Sequence, residues 1–179
     1  MGYARTHMLL QRAVEKELAF CRQVNNSLSA PIIQGFFSVV SRLGDGVLWY
    51  SLIACLPFIY GTDAIPVSIL MIFAGVLNLV VYKALKKLTS RERPCSTSAD
   101  IIPGARLLDH YSFPSGHTLH AVGFTILAIN FYPELALLLI PFTVLVAMSR
   151  VILGLHYPTD VIAGALIGAL IASLGIAIY

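Results

Sequence analysis

His156 precedes Asp160 by four residues. At that distance a carboxylate can accept the Nδ1 proton of the imidazole and leave Nε2 free to attack or to take a proton. A second imidazole, His117, is then available to give a proton to a leaving group and later to draw one from water, because histidine titrates near neutral pH. Three cations, Lys86, Arg93 and Arg150, accompany these groups. Like charges repel, so gathering them makes sense only if an anion joins them. Phosphate fits, since a guanidinium can hold two of its oxygens and an ammonium adds a point charge. Pro114-Ser115-Gly116 adds backbone N–H groups at a helix start, a ready anion seat where glycine permits close approach. Each piece alone has an ordinary reading as a hydrogen-bonded histidine, a snorkelling lysine or a plain turn. Arg91 and Arg106 are expected to reach for lipid headgroups in that way. The ordinary readings do not explain why the pieces share one face.

The elements that must position them are membrane helices. Of the 179 residues 58% are hydrophobic and 12% charged, and the mean hydropathy is +0.82. A soluble domain of this size needs a far more charged surface. Five stretches are nearly free of charge: 46–62, 64–82, 113–133, 135–155 (interrupted by Arg150) and 161–179. A crossing helix takes about 20 apolar residues, and hydrocarbon tolerates no unsatisfied backbone. The sequence therefore predicts an all-α, multi-pass transmembrane bundle with five spans.

Residues 1–45 read instead as amphipathic interfacial helices, and residues 46–179 as the membrane-embedded core. From Met8 to Val24 apolar residues recur at helical spacing with charges on the other face. Pro31 to Leu43 opens on a helix-starting proline and stops at Gly44. If this second helix crosses, the spans number six. With five spans Lys86, the 114–117 segment, Arg150 and His156 fall at one membrane face. Gly164, Gly168 and Ala172 recur every fourth residue and predict close helix packing without chemistry. The polar stretch 83–112 is a long loop of the kind that carries function.

Three ordered segments resemble the type-2 phosphatidic acid phosphatase family, which shares its site with vanadium haloperoxidases. Lys86 is followed after six residues by Arg93-Pro94. Pro114-Ser115-Gly116-His117 forms the second segment. Ser149-Arg150 is followed by His156 and Asp160 at the family spacing. The resemblance runs from about Gly44 to the C-terminus and implies a helical bundle, often of six spans. It implies that His156 attacks phosphorus to form a phosphohistidine, that Asp160 orients it, and that His117 serves as acid and then base. Lys86, Arg93, Ser115, Gly116 and Arg150 would hold the phosphoryl oxygens. No cofactor or metal is expected. His120 lies outside the motif and is expected to pack or to support.

The expected partner is a lipid phosphate or diphosphate delivered from the bilayer: undecaprenyl diphosphate, phosphatidylglycerophosphate, phosphatidic acid or lipid A phosphate. A vanadate-dependent haloperoxidase and a non-enzymatic anion-binding or transport protein are the alternatives. The few basic residues do not form a nucleic-acid footprint. Cys21, Cys55 and Cys95 match no zinc or redox spacing, and Cys55 reads as packing. The counting of Lys and Arg places the site on the cytoplasmic face. The resemblance implies the periplasmic or outer face of a bacterial inner membrane, and that expectation is the one carried forward. The sequence does not specify an oligomeric state.

Overall fold

The structure, a computed structural model, describes residues 2–107 and 109–179, with side chains from residue 11 onward. Its regular elements, among the described residues, are helices. Among the described residues, extended structure is confined to one isolated bridge between Glu92 and Tyr111. The helices are α1 (Gly2–Ser27), α2 (Pro31–Arg42), α3 (Leu48–Tyr60), α4 (Ile65–Thr89), the short α5 (Pro94–Thr97), α6 (Gly116–Phe131), α7 (Ala136–Ile152) and α8 (Pro158–Ile178).

Among the described residues, four helical stretches are long and apolar enough to cross a membrane: Pro31–Tyr60, Thr62–Thr89, Pro133–Ile152 and Pro158–Ile178. Their outward faces are apolar, with Phe58, Phe73, Leu137, Leu166 and Ile178 all exposed. A surface of that kind is stable in hydrocarbon and not in water. The remaining apolar run, 113–133, forms the 16-residue α6, which packs against α4, α7 and α8 at the centre of the bundle.

The expected break at Gly44 is a bend instead. Leu43–Val47 form a wide π-type turn that joins α2 to α3. Gly46 makes it possible, because its φ of 123° lies where side chains are strained. The joined helices follow α7 along its length. Phe37 packs with Ile152 and Leu153, Ser41 accepts a hydrogen bond from Arg150, Gly44 abuts Val146, and Trp49 meets Phe142. Tyr60 stacks on Tyr132, just before α7, at the far end.

The closest pair is α6 with α8. A Cβ at Gly164 would lie 2.5 Å from the Ser115 carbonyl oxygen, and one at Gly168 would overlap the Leu119 carbonyl. Gly175 lies farther along, opposite Leu127, so the two helices run parallel. The glycine spacing thus has the packing role expected of it. Parallel packing also sets both N-termini at one end of the bundle, which brings the 114–117 segment beside His156 and Asp160.

The helix α1 docks on α7 and on the loop after α5. Asn25 donates to the carbonyls of Ile102 and Ile152, and Cys21 is fully buried. The Met8 and Leu9 side chains of the expected apolar stripe lie outside the described ones. Cys55 is exposed on α3 rather than packed, and all three cysteines are free thiols.

Candidate active site

Helix starts and helix ends build the site. Pro158 begins α8, and Asp160 in its first turn accepts the Tyr157 N–H at 2.9 Å on Oδ2. This cap fixes a buried carboxylate beside the preceding residue, His156. His156 is itself buried in the turn after α7, its N–H bonded to the Arg150 carbonyl. Its Nδ1 faces Asp160 Oδ2 at 3.7 Å. Its Nε2 faces Arg93 Nη1 at 3.2 Å. A guanidinium can only donate, so the Nε2 lone pair points toward the cationic side.

Arg93 follows α4 and is anchored at three places. It donates to the Leu155 carbonyl at 2.8 Å, to the Asp109 carbonyl at 3.0 Å and to Asp109 Oδ1 at 2.6 Å. Lys86, in the last turn of α4, donates to the same Asp109 oxygen at 2.7 Å and to the Tyr111 carbonyl at 2.8 Å. Arg150 is buried at the end of α7 with one nitrogen on Ser41. His117, the second residue of α6, places Nε2 3.4 Å from Asp45 Oδ1 in the π-type turn.

These groups surround one cavity of about 1090 Å³. Lys86, Arg93, Gly116, His117, Arg150 and His156 all line it. Asp160 stands behind His156. Ser115 is not among the residues that line the cavity. It is fully buried, its N–H is given to the Asp160 carbonyl, and its hydroxyl meets Thr118 at the start of α6. The anion-binding donors left at this helix start are the N–H groups of Gly116 and His117, which have no intrahelical acceptor. His120 lines the cavity but turns both ring nitrogens to carbonyls, of Gly116 at 2.9 Å and of Gly75 at 3.4 Å, as expected of a supporting group.

The electrostatics follow from burial and charge. Burial, with Arg150 and Arg93 close by, holds His156 well below the ordinary imidazole range, so it is neutral near pH 7. Burial would push Asp109 up, but Lys86 and Arg93 outweigh it and hold the carboxyl below its usual value. Arg91 is raised: burial opposes its charge, and Glu17 and Asp160 outweigh the burial. The expectation that Arg91 snorkels is therefore overturned. Its guanidinium is bound to Asp160 and Glu17, 2.7 Å from each.

Sequence reasoning missed Asp45, Asp109, Glu17 and Arg91 as parts of this assembly. Asp109 carried one signal, its place in the long polar loop. Asp45 and Glu17 carried none, because only the bend between α2 and α3 and the docking of α1 bring them in. Among the described residues no group of three or more His, Cys, Asp or Glu is arranged to hold a metal ion.

The PAP2 superfamily matches residues 66–179. The undecaprenyl-diphosphatase of Sulfolobus acidocaldarius is 30% identical over 151 residues, covering 82% of this chain and 70% of that one. The fold is similar to the crystal structure of Aquifex aeolicus LpxE, with a TM-score of 0.77, 26% identity, and coverage of 89% of this chain and 94% of that one. It is also similar to a transmembrane PAP2 type phosphatidylglycerolphosphate phosphatase from Bacillus subtilis, with a TM-score of 0.76, 24% identity, and coverage of 93% and 86%.

Proposed function

Because the chain belongs to the PAP2 superfamily and is a membrane lipid phosphatase, we propose that it works through a phosphohistidine on His156. The observation that carries this reading is the orientation of His156: Nδ1 toward Asp160, and Nε2 toward a cavity lined by Lys86, Arg93 and Arg150.

The phosphoryl group enters the cation cluster and displaces the Asp109 carboxylate from Lys86 and Arg93. Nε2 of neutral His156 attacks phosphorus as the bond to the leaving oxygen breaks. His117 gives that oxygen a proton. Water then donates a proton to His117 and attacks phosphorus, the P–N bond breaks, and inorganic phosphate leaves. Asp160 compensates the charge that His156 gains while phosphorylated. Lys86, Arg93, Arg150 and the N–H groups of Gly116 and His117 stabilise the equatorial oxygens. In this reading those cations supply the charge for which other phosphatases use a metal, and none is needed.

The lipid tail takes the side of the cavity between α3 and α4. Tyr50, Leu79 and Val80 line the cavity there and are also exposed outward. We read five crossings: α2 and α3 as one bent passage, then α4, α6, α7 and α8. Of residues 1–45, α1 is then an accessory helix that docks on the core, and α2 is the first part of the bent passage. The substrate is a lipid phosphate or diphosphate, with undecaprenyl diphosphate and phosphatidylglycerophosphate first in the panel to test. The site faces the outer side of a bacterial inner membrane.

Phosphate release by the purified protein in detergent, measured over that panel, tests the proposal. At least one lipid should be turned over, and His156→Ala should lower kcat by roughly 10³-fold or more. Wild-type turnover by His156→Ala or by His117→Ala would refute it.

A further inference from the structure

Arg91 lies inside the first motif segment but is none of its defining residues, does not line the cavity, and is still bound directly to the group that orients His156. Its Nη1 donates to Asp160 Oδ1 at 2.7 Å and to Thr159 Oγ1 at 2.8 Å. Its Nη2 donates to Glu17 Oε2 at 2.7 Å. The guanidinium lies over the Tyr157 ring, 4.0 Å from its centroid, a stacked geometry that lysine cannot copy. Glu17, on α1, also accepts the Thr159 N–H at 2.9 Å and the Thr159 hydroxyl at 3.0 Å. One carboxylate from the N-terminal helix thus holds Arg91 and the first turn of α8 together.

We infer that Arg91 and Glu17 are positioning residues for the nucleophile: together they fix the Asp160 carboxylate that orients His156. This rests on the phosphohistidine reading of His156. The physical case is one of charge and of aim. Asp160 is fully buried, and an uncompensated buried carboxylate is costly and tends to take a proton. A protonated Asp160 could neither accept the Nδ1 proton nor stabilise a positively charged phosphohistidine. Arg91 supplies the missing charge on Oδ1 and leaves Oδ2 to the Tyr157 N–H and to His156. The chain of charges then alternates from Asp160 to Arg91 to Glu17. Its last member comes from α1, outside the residues that the family match covers, so the N-terminal helix completes the active site.

Arg91→Gln, Arg91→Lys and Glu17→Gln, made in the full chain and assayed in detergent on the lipid turned over fastest by the wild type, test the inference. Arg91→Gln should lower kcat on the order of 10- to 100-fold, the scale found when a group that orients a working imidazole is lost. KM, and inhibition by inorganic phosphate, should change by less than about threefold, because Arg91 holds no phosphoryl oxygen. Arg91→Lys should recover part of the loss through its charge, and Glu17→Gln should show a smaller loss. The acid limb of kcat should move to higher pH in Arg91→Gln. The groups that face Asp160 are His156 and the Tyr157 N–H, Ser112 and Arg91 from the loop, and Cys21 from α1, with Glu17 behind Arg91. Removing Arg91 takes away the cation bound directly to the carboxylate. Thermal melting reports folding, and if Arg91→Gln does not fold, Arg91→Lys and Glu17→Gln decide on the same readouts. Unchanged kcat in the folded variants would overturn the inference. So would a loss that appears equally in KM and in phosphate inhibition, which would make Arg91 a phosphate ligand. An active His156→Ala would instead overturn the phosphohistidine reading itself, whereas an inactive His156→Ala with unaffected Arg91 and Glu17 variants would sink only this inference.

Discussion

Asp109 holds the seat that a phosphoryl group is proposed to take. One of its oxygens bonds both Lys86 and Arg93, so substrate and carboxylate compete for the same donors. A part-exposed ion pair is worth about 1 kcal/mol, roughly a fivefold change in affinity. Asp109→Asn should therefore let inorganic phosphate inhibit at a severalfold lower concentration, and the lipid KM should fall with it. Unchanged or weaker phosphate inhibition would show that Asp109 and the anion do not share a seat. His156 gives a second expectation. The neutral ring is the attacking form, and its folded value lies well below the usual 6.5. Activity should therefore persist as pH falls through 6.5 and be lost only below it. A kcat/KM profile whose acid limb sits at or above 6.5 would contradict the assignment. The motif residues were legible because their types and spacing are unusual together. Asp109 was not, because an aspartate in a polar loop has nothing in its sequence neighbourhood that says which cation it will meet.

At the scale of elements, the parallel contact of α6 and α8 sets the geometry of the site. Its signature, small residues every fourth position from Gly164, was readable, but the partner helix was not, since a small-residue stripe does not say what it packs against. The site depends on this contact because Ser115 and Asp160 are joined across it. Gly168→Leu would drive a side chain into the Leu119 carbonyl, and overpacking of that kind costs about 1–3 kcal/mol or more when backbone must move. We expect a lower melting temperature and a loss of kcat that exceeds any change in KM. Wild-type stability and kcat in Gly168→Leu would show that the contact is looser than described. The bend at Leu43–Val47 was the element least visible in sequence. Gly44 and Gly46 look like a helix stop, and only packing along α7 turns the stop into a bend that presents Asp45 to His117.

The whole molecule is an apolar bundle with a polar assembly concentrated at one end. The apolar composition made that class legible, as did the segregation of the cations and histidines. The docking of α1 was not legible, because amphipathic periodicity fits a membrane surface as well as a protein one. The side on which the assembly lies decides which lipids can reach it. A cysteine introduced into the 100–106 loop should be labelled by an impermeant maleimide in intact spheroplasts, provided the native cysteines are replaced. Labelling only after lysis would place the site on the cytoplasmic side, where the count of basic residues alone would put it.

The most direct test of the account is the covalent step. Wild-type enzyme stopped with alkali during turnover, then digested and sequenced by mass spectrometry, should carry a phosphoryl group on His156. The label should be absent from His156→Ala and should persist longer in His117→Ala, where water lacks its base. A phosphoryl group found on another side chain, or steady phosphate release by His156→Ala, would contradict the account.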